Sequence, residues 1–215
     1  MKLILLFMSL LAVVGAAATF GPEYDAAFFA RSPEESAFDA LVTPANLPDL
    51  PLSSRSMREL FETCAAVQQG LIYAFQPPET QGDVDRSCDS LARKALARSP
   101  TYGAAHTIVM LSARDDAAVT ESLILSQSTS PRESWHAKLR LRKGIRLYGK
   151  ATPALDAALE ADIGFMVQTR AGRAWLAALY QSNPTARPVL VAVINRRPNE
   201  EQVSFLREVR NLGQN

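Results

Sequence analysis

Cysteine, histidine and long apolar runs are all scarce in this 215-residue chain: two cysteines, two histidines and one uncharged apolar stretch near 18 residues. Two cysteines exclude a disulfide-dense mini-scaffold and a four-cysteine zinc site. A single apolar stretch excludes a multi-span membrane protein. Net charge is also nearly lacking, with 23 Lys+Arg against 22 Asp+Glu, which argues against a dedicated nucleic-acid binder. No HExxH, EF-hand loop, Walker A or GxGxxG motif occurs, and no Ser/His/Asp or Cys/His signature has its usual local context. Metal ligands are not clustered, so neither a metal nor a cofactor is expected. What is present is 47% hydrophobic and 21% charged residues. That composition excludes intrinsic disorder and allows a real core with room for an appendage.

The chain opens on Lys2, the apolar stretch Leu3 to Val14 and Gly15-Ala16-Ala17-Ala18. This is the pattern of a secretory signal peptide with cleavage after Ala18. The competing reading is an uncleaved anchor from Leu3 to Phe20, barely long enough to span a bilayer. Both readings place the remainder outside the cytoplasm, in the periplasm or on the periplasmic face of the inner membrane. Membrane contact is then expected only through the N-terminal segment, if it is retained.

Cys64 and Cys88 fit an oxidising compartment. Leu60, Cys64, Val67, Leu71 and Phe75 follow helical spacing, as do Val84, Cys88, Leu91 and Ala95. Between them, Gln76-Pro77-Pro78-Glu79-Thr80-Gln81-Gly82 is rich in helix breakers. Folding there makes an antiparallel hairpin with the two sulfurs at similar height. A structural disulfide would stabilise it by roughly 3–4 kcal/mol in the chain-entropy model. The alternative is two inert buried thiols.

Residues 19–56 carry Pro22, Pro33, Pro44, Pro48 and Pro51, so no long helix is expected to run through them. Ser32-Pro33-Glu34-Glu35 reads as a capping box opening a short helix to about Leu41. Thr43 to Ser56 reads as an extended linker, although Phe20, Tyr24, Phe28, Phe29 and Phe38 argue that part of this arm packs. From Met57 onward, a domain over 57–215, helix follows helix and strand signals are nearly absent. Ser99-Pro100, Ser130-Pro131, Thr152-Pro153 and Asn183-Pro184 each place an N-cap residue before proline at a first helical turn. The spacing is 31 residues from Pro100 to Pro131 and again from Pro153 to Pro184, as a helix-turn-helix repeat produces. Asp115-Asp116 marks the start of a helix over 117–128. Stripes are expected at Tyr102, Ala105, His106, Val109 and Met110, at Leu155, Ala158, Leu159, Ile163 and Met166, and at Ala171, Ala174, Trp175, Ala178 and Leu179. Val189 to Ile194 is assigned to helix. The fold class is therefore all-α, with antiparallel hairpins stacked as a short right-handed array.

Ala92, Ala95, Leu96, Pro100, Ala104-Ala105 and Leu111 give the stretch from about Cys64 to Pro131 its clearest likeness: it resembles a degenerate pair of tetratricopeptide-like repeats, without the Trp, Gly and Tyr of that family's first helix. The pattern Ser126, Pro131, Arg132, Glu133, Trp135, then Arg173, Trp175, Leu176, Leu179 and Tyr180 resembles, more distantly, small envelope proteins that accompany exopolysaccharide synthesis and export. Together these span roughly residues 60–185. The resemblances imply a non-enzymatic scaffold and name no reaction.

His106 sits in an apolar stripe and is read as a core histidine; His136 lies beside Trp135. Of the carboxylates, Asp115-Asp116, Glu34-Glu35 and Glu200-Glu201 suit helix starts. Asp162 falls inside the stripe Leu155, Leu159, Ile163 and Met166, where an unpaired charge is costly. It is expected to pair with Arg140 or Arg173. The best binding candidate is the basic helix of residues 131–150. Lys138, Arg142 and Arg146 are four apart, with Arg132, Lys143 and Lys150 projecting on the same side, Trp135 beside them, and Ala137, Leu141, Ile145 and Tyr148 facing the core. The bland reading is an ordinary solvated face. The sharper one is a dock for an anionic glycan, an anionic lipid headgroup or an acidic envelope protein. A glycan-cleaving enzyme with two convergent carboxylates is the rival.

Removing residues 1–18 leaves 22 basic and 22 acidic groups. They divide unequally: 7 basic and 12 acidic over 19–100, against 15 and 10 over 101–215.

Overall fold

A computed structural model describes residues 2–213; the side chains at 2–7, 9–12 and 17–19 are outside the description, and most of the signal-peptide or anchor stretch falls on them. The described chain is all-helical, with twelve α-helices, two 3-10 turns and no strand among the described residues. It forms two compact units, Met1–Pro100 and Thr101–Asn215. The division falls inside the expected 57–215 domain and leaves residues 57–100 with the N-terminal arm.

In the first unit, α1 (Lys2–Arg31) runs through Pro22, contrary to the expectation that prolines stop any long helix. One proline removes one backbone donor and crowds the preceding turn, a local cost that neighbouring packing can offset. Ala26 and Phe29 are buried on that helix, which packs on α3 (Ser54–Gln69). Helix α2 (Glu34–Val42) starts where expected but without the capping box. Ser32 Oγ instead donates to the Phe28 carbonyl at 2.8 Å, closing the last turn of α1. The stretch after α2 contains a 3-10 turn (Pro44–Asn46) and is no spacer: Pro48, Leu50 and Pro51 are buried. Arg98 on α5 (Pro78–Arg98) donates to the Leu50 carbonyl at 3.2 Å.

Helix α3 ends at Gly70, and α4 (Leu71–Ala74) starts a new direction. Leu71 and Phe75 are consequently exposed and do not extend the Leu60–Cys64–Val67 stripe. Leu60, Phe61, Cys64, Val84, Cys88 and Leu91 are fully or almost fully buried where α3 meets α5. The Cα atoms of Cys64 and Cys88 lie 5.9 Å apart, with the sulfurs paired as a disulfide.

The second unit holds α6 (Gly103–Ser112), α7 (Asp116–Thr129), α8 (Ser134–Gly144), α9 (Pro153–Val167), α10 (Arg170–Ser182), α11 (Ala186–Ile194) and α12 (Asn199–Leu212). Helix α6 packs along α7; α8 packs on α6, α7 and α9; α10 packs on α9, α11 and α12. Asp115 caps α7, accepting from Ala118 N at 2.8 Å. Thr152 caps α9, with Pro153 in its first turn. The other three proline signals behave differently. Pro100, Pro131 and Pro184 lie in turns, and α6, α8 and α11 begin two or three residues later. Asn183 does accept hydrogen bonds from Thr185 N and Ala186 N, so it organises a turn in place of the expected cap.

The α9 stripe is buried as expected. The α10 stripe is rotated: Gly172, Leu176, Ala177 and Leu179 are buried, while Ala171 and Ala178 are exposed. Gly172 sets that register, because a Cβ there would collide with the carbonyl oxygen of Met166 in the last turn of α9. Gly149 adopts φ +70°, a conformation that glycine takes without the side-chain penalty, and reverses the chain before α9.

Candidate binding site

The basic segment is not one continuous helix. Helix α8 stops at Gly144, a 3-10 turn covers Ile145–Leu147, and the chain turns at Gly149. Four-residue spacing therefore does not carry Arg146 and Lys150 onto the side that Lys138 and Arg142 occupy. Each cation goes its own way. Lys143 Nζ donates to the Leu111 carbonyl at 2.8 Å, satisfying an end of α6. The Arg142 guanidinium lies 5.7 Å from the Trp175 ring centre, in cation–π range. Lys138 is half-buried and Arg132 exposed. Trp135 is half-buried and meets His136 edge-on at 4.6 Å. Ala137, Leu141 and Ile145 reach the core, but Tyr148 is only half-buried. Its hydroxyl donates to Glu160 Oε1 at 2.5 Å, and Arg196 meets the same oxygen at 2.8 Å. The hydrogen bond to Glu160 holds the phenol above its ordinary range.

Arg146 has the most consequential position. It crosses to α7 and donates to Asp116 Oδ1 at 2.5 Å. This pair stands on an open groove of about 760 Å³, a volume suited to a small molecule or a short segment of a larger ligand. Thr120, Glu121 and Ile124 of α7 line one wall; Arg146, Lys150 and the start of α9 line the other. Apolar surface from Ile124, Leu147 and several alanines makes up much of the lining. The hydrogen bond from Arg146, aided by the nearby charges of Arg146 and Lys150, holds the Asp116 carboxyl below its usual range.

The core of this unit holds the ion pair expected at Asp162. Arg140 is fully buried, and Asp162 receives it in two hydrogen bonds of 2.7 Å, Nε to Oδ2 and Nη2 to Oδ1. Nη1 donates to the Ser126 carbonyl at 3.2 Å and to its hydroxyl at 3.0 Å, and Nη2 to the Ser130 carbonyl at 3.2 Å. All five guanidinium protons thus have acceptors. Burial pushes the Asp162 carboxyl up, against the pull of Arg140. Arg173, the other candidate partner, instead donates to the Val167 carbonyl at 3.0 Å.

The polar chain continues from Ser126 to Thr107, whose hydroxyl oxygens are 2.6 Å apart, and from Thr107 Oγ1 to His136 Nδ1 at 3.2 Å. Thr107 and Ser126 are fully buried, and His136 nearly so. A threonine, a histidine and, 3.9 Å beyond it, Glu133 resemble a nucleophilic relay in order, but the hydroxyl has no exposed surface for a substrate to reach. The arrangement packs a core. His106 is also buried, in its apolar stripe. Thr107 was not singled out from sequence, and Ser126 entered only through the resemblance to envelope proteins. The available signal was weak: single hydroxyls inside otherwise apolar helix faces.

Among the described residues, no three His, Cys, Asp or Glu side chains come together as metal ligands would. No family model matches the chain, and neither the curated proteins nor the solved structures include a match to it.

Proposed function

We propose that this chain is an exported, non-enzymatic binding or scaffold protein of the cell envelope. Its helix pairs stack in a tetratricopeptide-like manner, and it supports polysaccharide synthesis or export through contacts with an envelope protein or an anionic glycan. The observation that carries the reading is the groove between α7 and the start of α9. There Arg146 and Lys150 stand beside an apolar floor, a combination that accepts an anionic group and the apolar body attached to it. The rival reading, a glycan-cleaving enzyme, needs a protonated carboxyl beside an ionised one; Asp116 and Glu121 line the same groove, with Asp116 held in an ion pair by Arg146.

Titration with alginate, an anionic polysaccharide, tests the glycan form of the proposal, and envelope-fraction pull-down with mature N-terminus determination tests the protein form. Arg146→Glu combined with Lys150→Glu is expected to weaken the interaction by about tenfold or more, since each reversal turns an attraction into a repulsion. Unchanged interaction in both assays would overturn the assignment of the groove. Arg146→Glu also faces Asp116 across the broken pair, so Arg146→Gln with Lys150→Gln, which adds no repulsion within the chain, is measured beside it and should melt close to the native chain because the lost pair is surface-exposed.

A further inference from the structure

The N-terminal unit carries a second surface. Phe20, Tyr24 and Phe28 are spaced four apart on α1, and they are 68%, 57% and 67% exposed. Their rings form a ladder, with centroids 5.9 Å and 6.4 Å apart and planes inclined by 24° and 20°. Three large rings exposed in one row are costly to leave in water.

The rest of α1 points to the occupant. The backbone helix is continuous with Leu3 to Phe20, a stretch without one charged residue. Val13 lies seven residues before Phe20, two helical turns back on the same side, and is 65% exposed. Arg31 is exposed three residues after Phe28, near the same side. The sequence of features along the ridge is apolar, then aromatic, then cationic. Exposed aromatic rings flanked by a cation suit the interfacial region of a membrane, where rings sit at headgroup level and a cation meets phosphate. The ridge is also held in place. Ala26 and Phe29 anchor the opposite side in the unit, and Glu23 accepts hydrogen bonds from Leu52 N at 2.7 Å and Ser53 N at 2.6 Å.

We propose that the Phe20–Tyr24–Phe28 ridge docks against the interface of a lipid bilayer. The proposal concerns docking of the ridge at the interface; among the described residues no helix is long and apolar enough to cross a membrane. The proposal involves the other unit from the groove and does not depend on the groove's ligand.

Hydroxyl-radical footprinting of the full chain, with and without vesicles of phosphatidylethanolamine and phosphatidylglycerol, tests it. Labelling of Phe20, Tyr24 and Phe28 is expected to fall severalfold on vesicle addition. Phe75, 84% exposed on the same unit, should keep its labelling and serves as the internal reference. Unchanged labelling of the ladder would overturn the proposal. Lipid is kept at a concentration that leaves Phe75 labelling unchanged, which removes radical scavenging as a cause. Labelling already low without vesicles and rising on dilution would overturn it in favour of a second copy of the chain.

Discussion

The two units solve one problem in opposite ways. Each is a small helical body whose helices must hold a fixed register, and each has one cross-link at its centre. In the first unit the link is covalent, Cys64 to Cys88 between α3 and α5. In the second it is ionic, Arg140 to Asp162 between α8 and α9, with no exposed side-chain surface on either partner. A disulfide is held to act mainly on the unfolded chain, by removing conformations. A buried ion pair acts on the folded state, where both charges have lost water and their geometry must compensate. The first device tolerates an ordinary apolar surrounding. The second needs every donor satisfied, which explains why Ser126 and Ser130 are recruited around the guanidinium.

The largest test of this contrast removes one ionic partner. Arg140→Met leaves Asp162 buried and unpaired, and is expected to cost about 3–5 kcal/mol. Arg140→Met combined with Asp162→Leu should recover most of that loss, because the desolvated charges disappear together. Urea denaturation of the two variants checks both statements. A double variant as unstable as the single one would mean that the pair itself, and not the avoidance of a lone charge, holds α8 to α9.

The covalent link should give a smaller loss with no such rescue. Cys64→Ser with Cys88→Ser is expected to destabilise the first unit by roughly 3–4 kcal/mol in the chain-entropy model. Hydrogen exchange resolved along the sequence distinguishes the units: protection should fall over α3 and α5. A loss of equal size over α8 and α9 would break the comparison, since it would make the two cross-links parts of one cooperative body.

These devices were legible in the sequence to different degrees, for physical reasons. Asp162 stood alone in an apolar stripe, and a charge there demands a partner; one of the two nominated arginines is the partner. The cysteine hairpin followed from a central turn between two stripes. The groove was not legible. It depends on Arg146 meeting Asp116, 30 residues away, after a 3-10 turn has rotated Arg146 off the α8 face. Pro100, Pro131 and Pro184 misplaced helix starts because a Ser-Pro or Asn-Pro step opens a turn as readily as a helix. Pro22 misled in the other direction, since tertiary packing can carry a helix through a proline that propensity alone would reject.

The smallest effect concerns how the first unit attaches α1. Glu23 serves as a cap for another helix: hydrogen bonding from Ser56, then Ser53, together with the Leu52 amide, holds its carboxyl down to about 2 from the ordinary 4.5. The anion also sits at the positive end of the α3 dipole. A carboxyl whose folded-state value is depressed binds fewer protons folded than unfolded. Its stabilisation is therefore complete above the unfolded value and is lost as pH falls from about 4.5 toward 2. Glu23→Gln should be less stable than the native chain at pH 7 and should converge with it near pH 2. Urea midpoints at pH 7, 4 and 2 measure the difference, which cancels the titration of the remaining carboxylates. The carboxylate is solvent-accessible, so the change should be modest. A gap that persists at pH 2 would assign the loss to shape and not to charge. Convergence would show α1 joined to α3 by charge-assisted hydrogen bonds at the surface, beside a covalent link at the unit's centre, whereas the second unit places the charged link Arg140–Asp162 in its core.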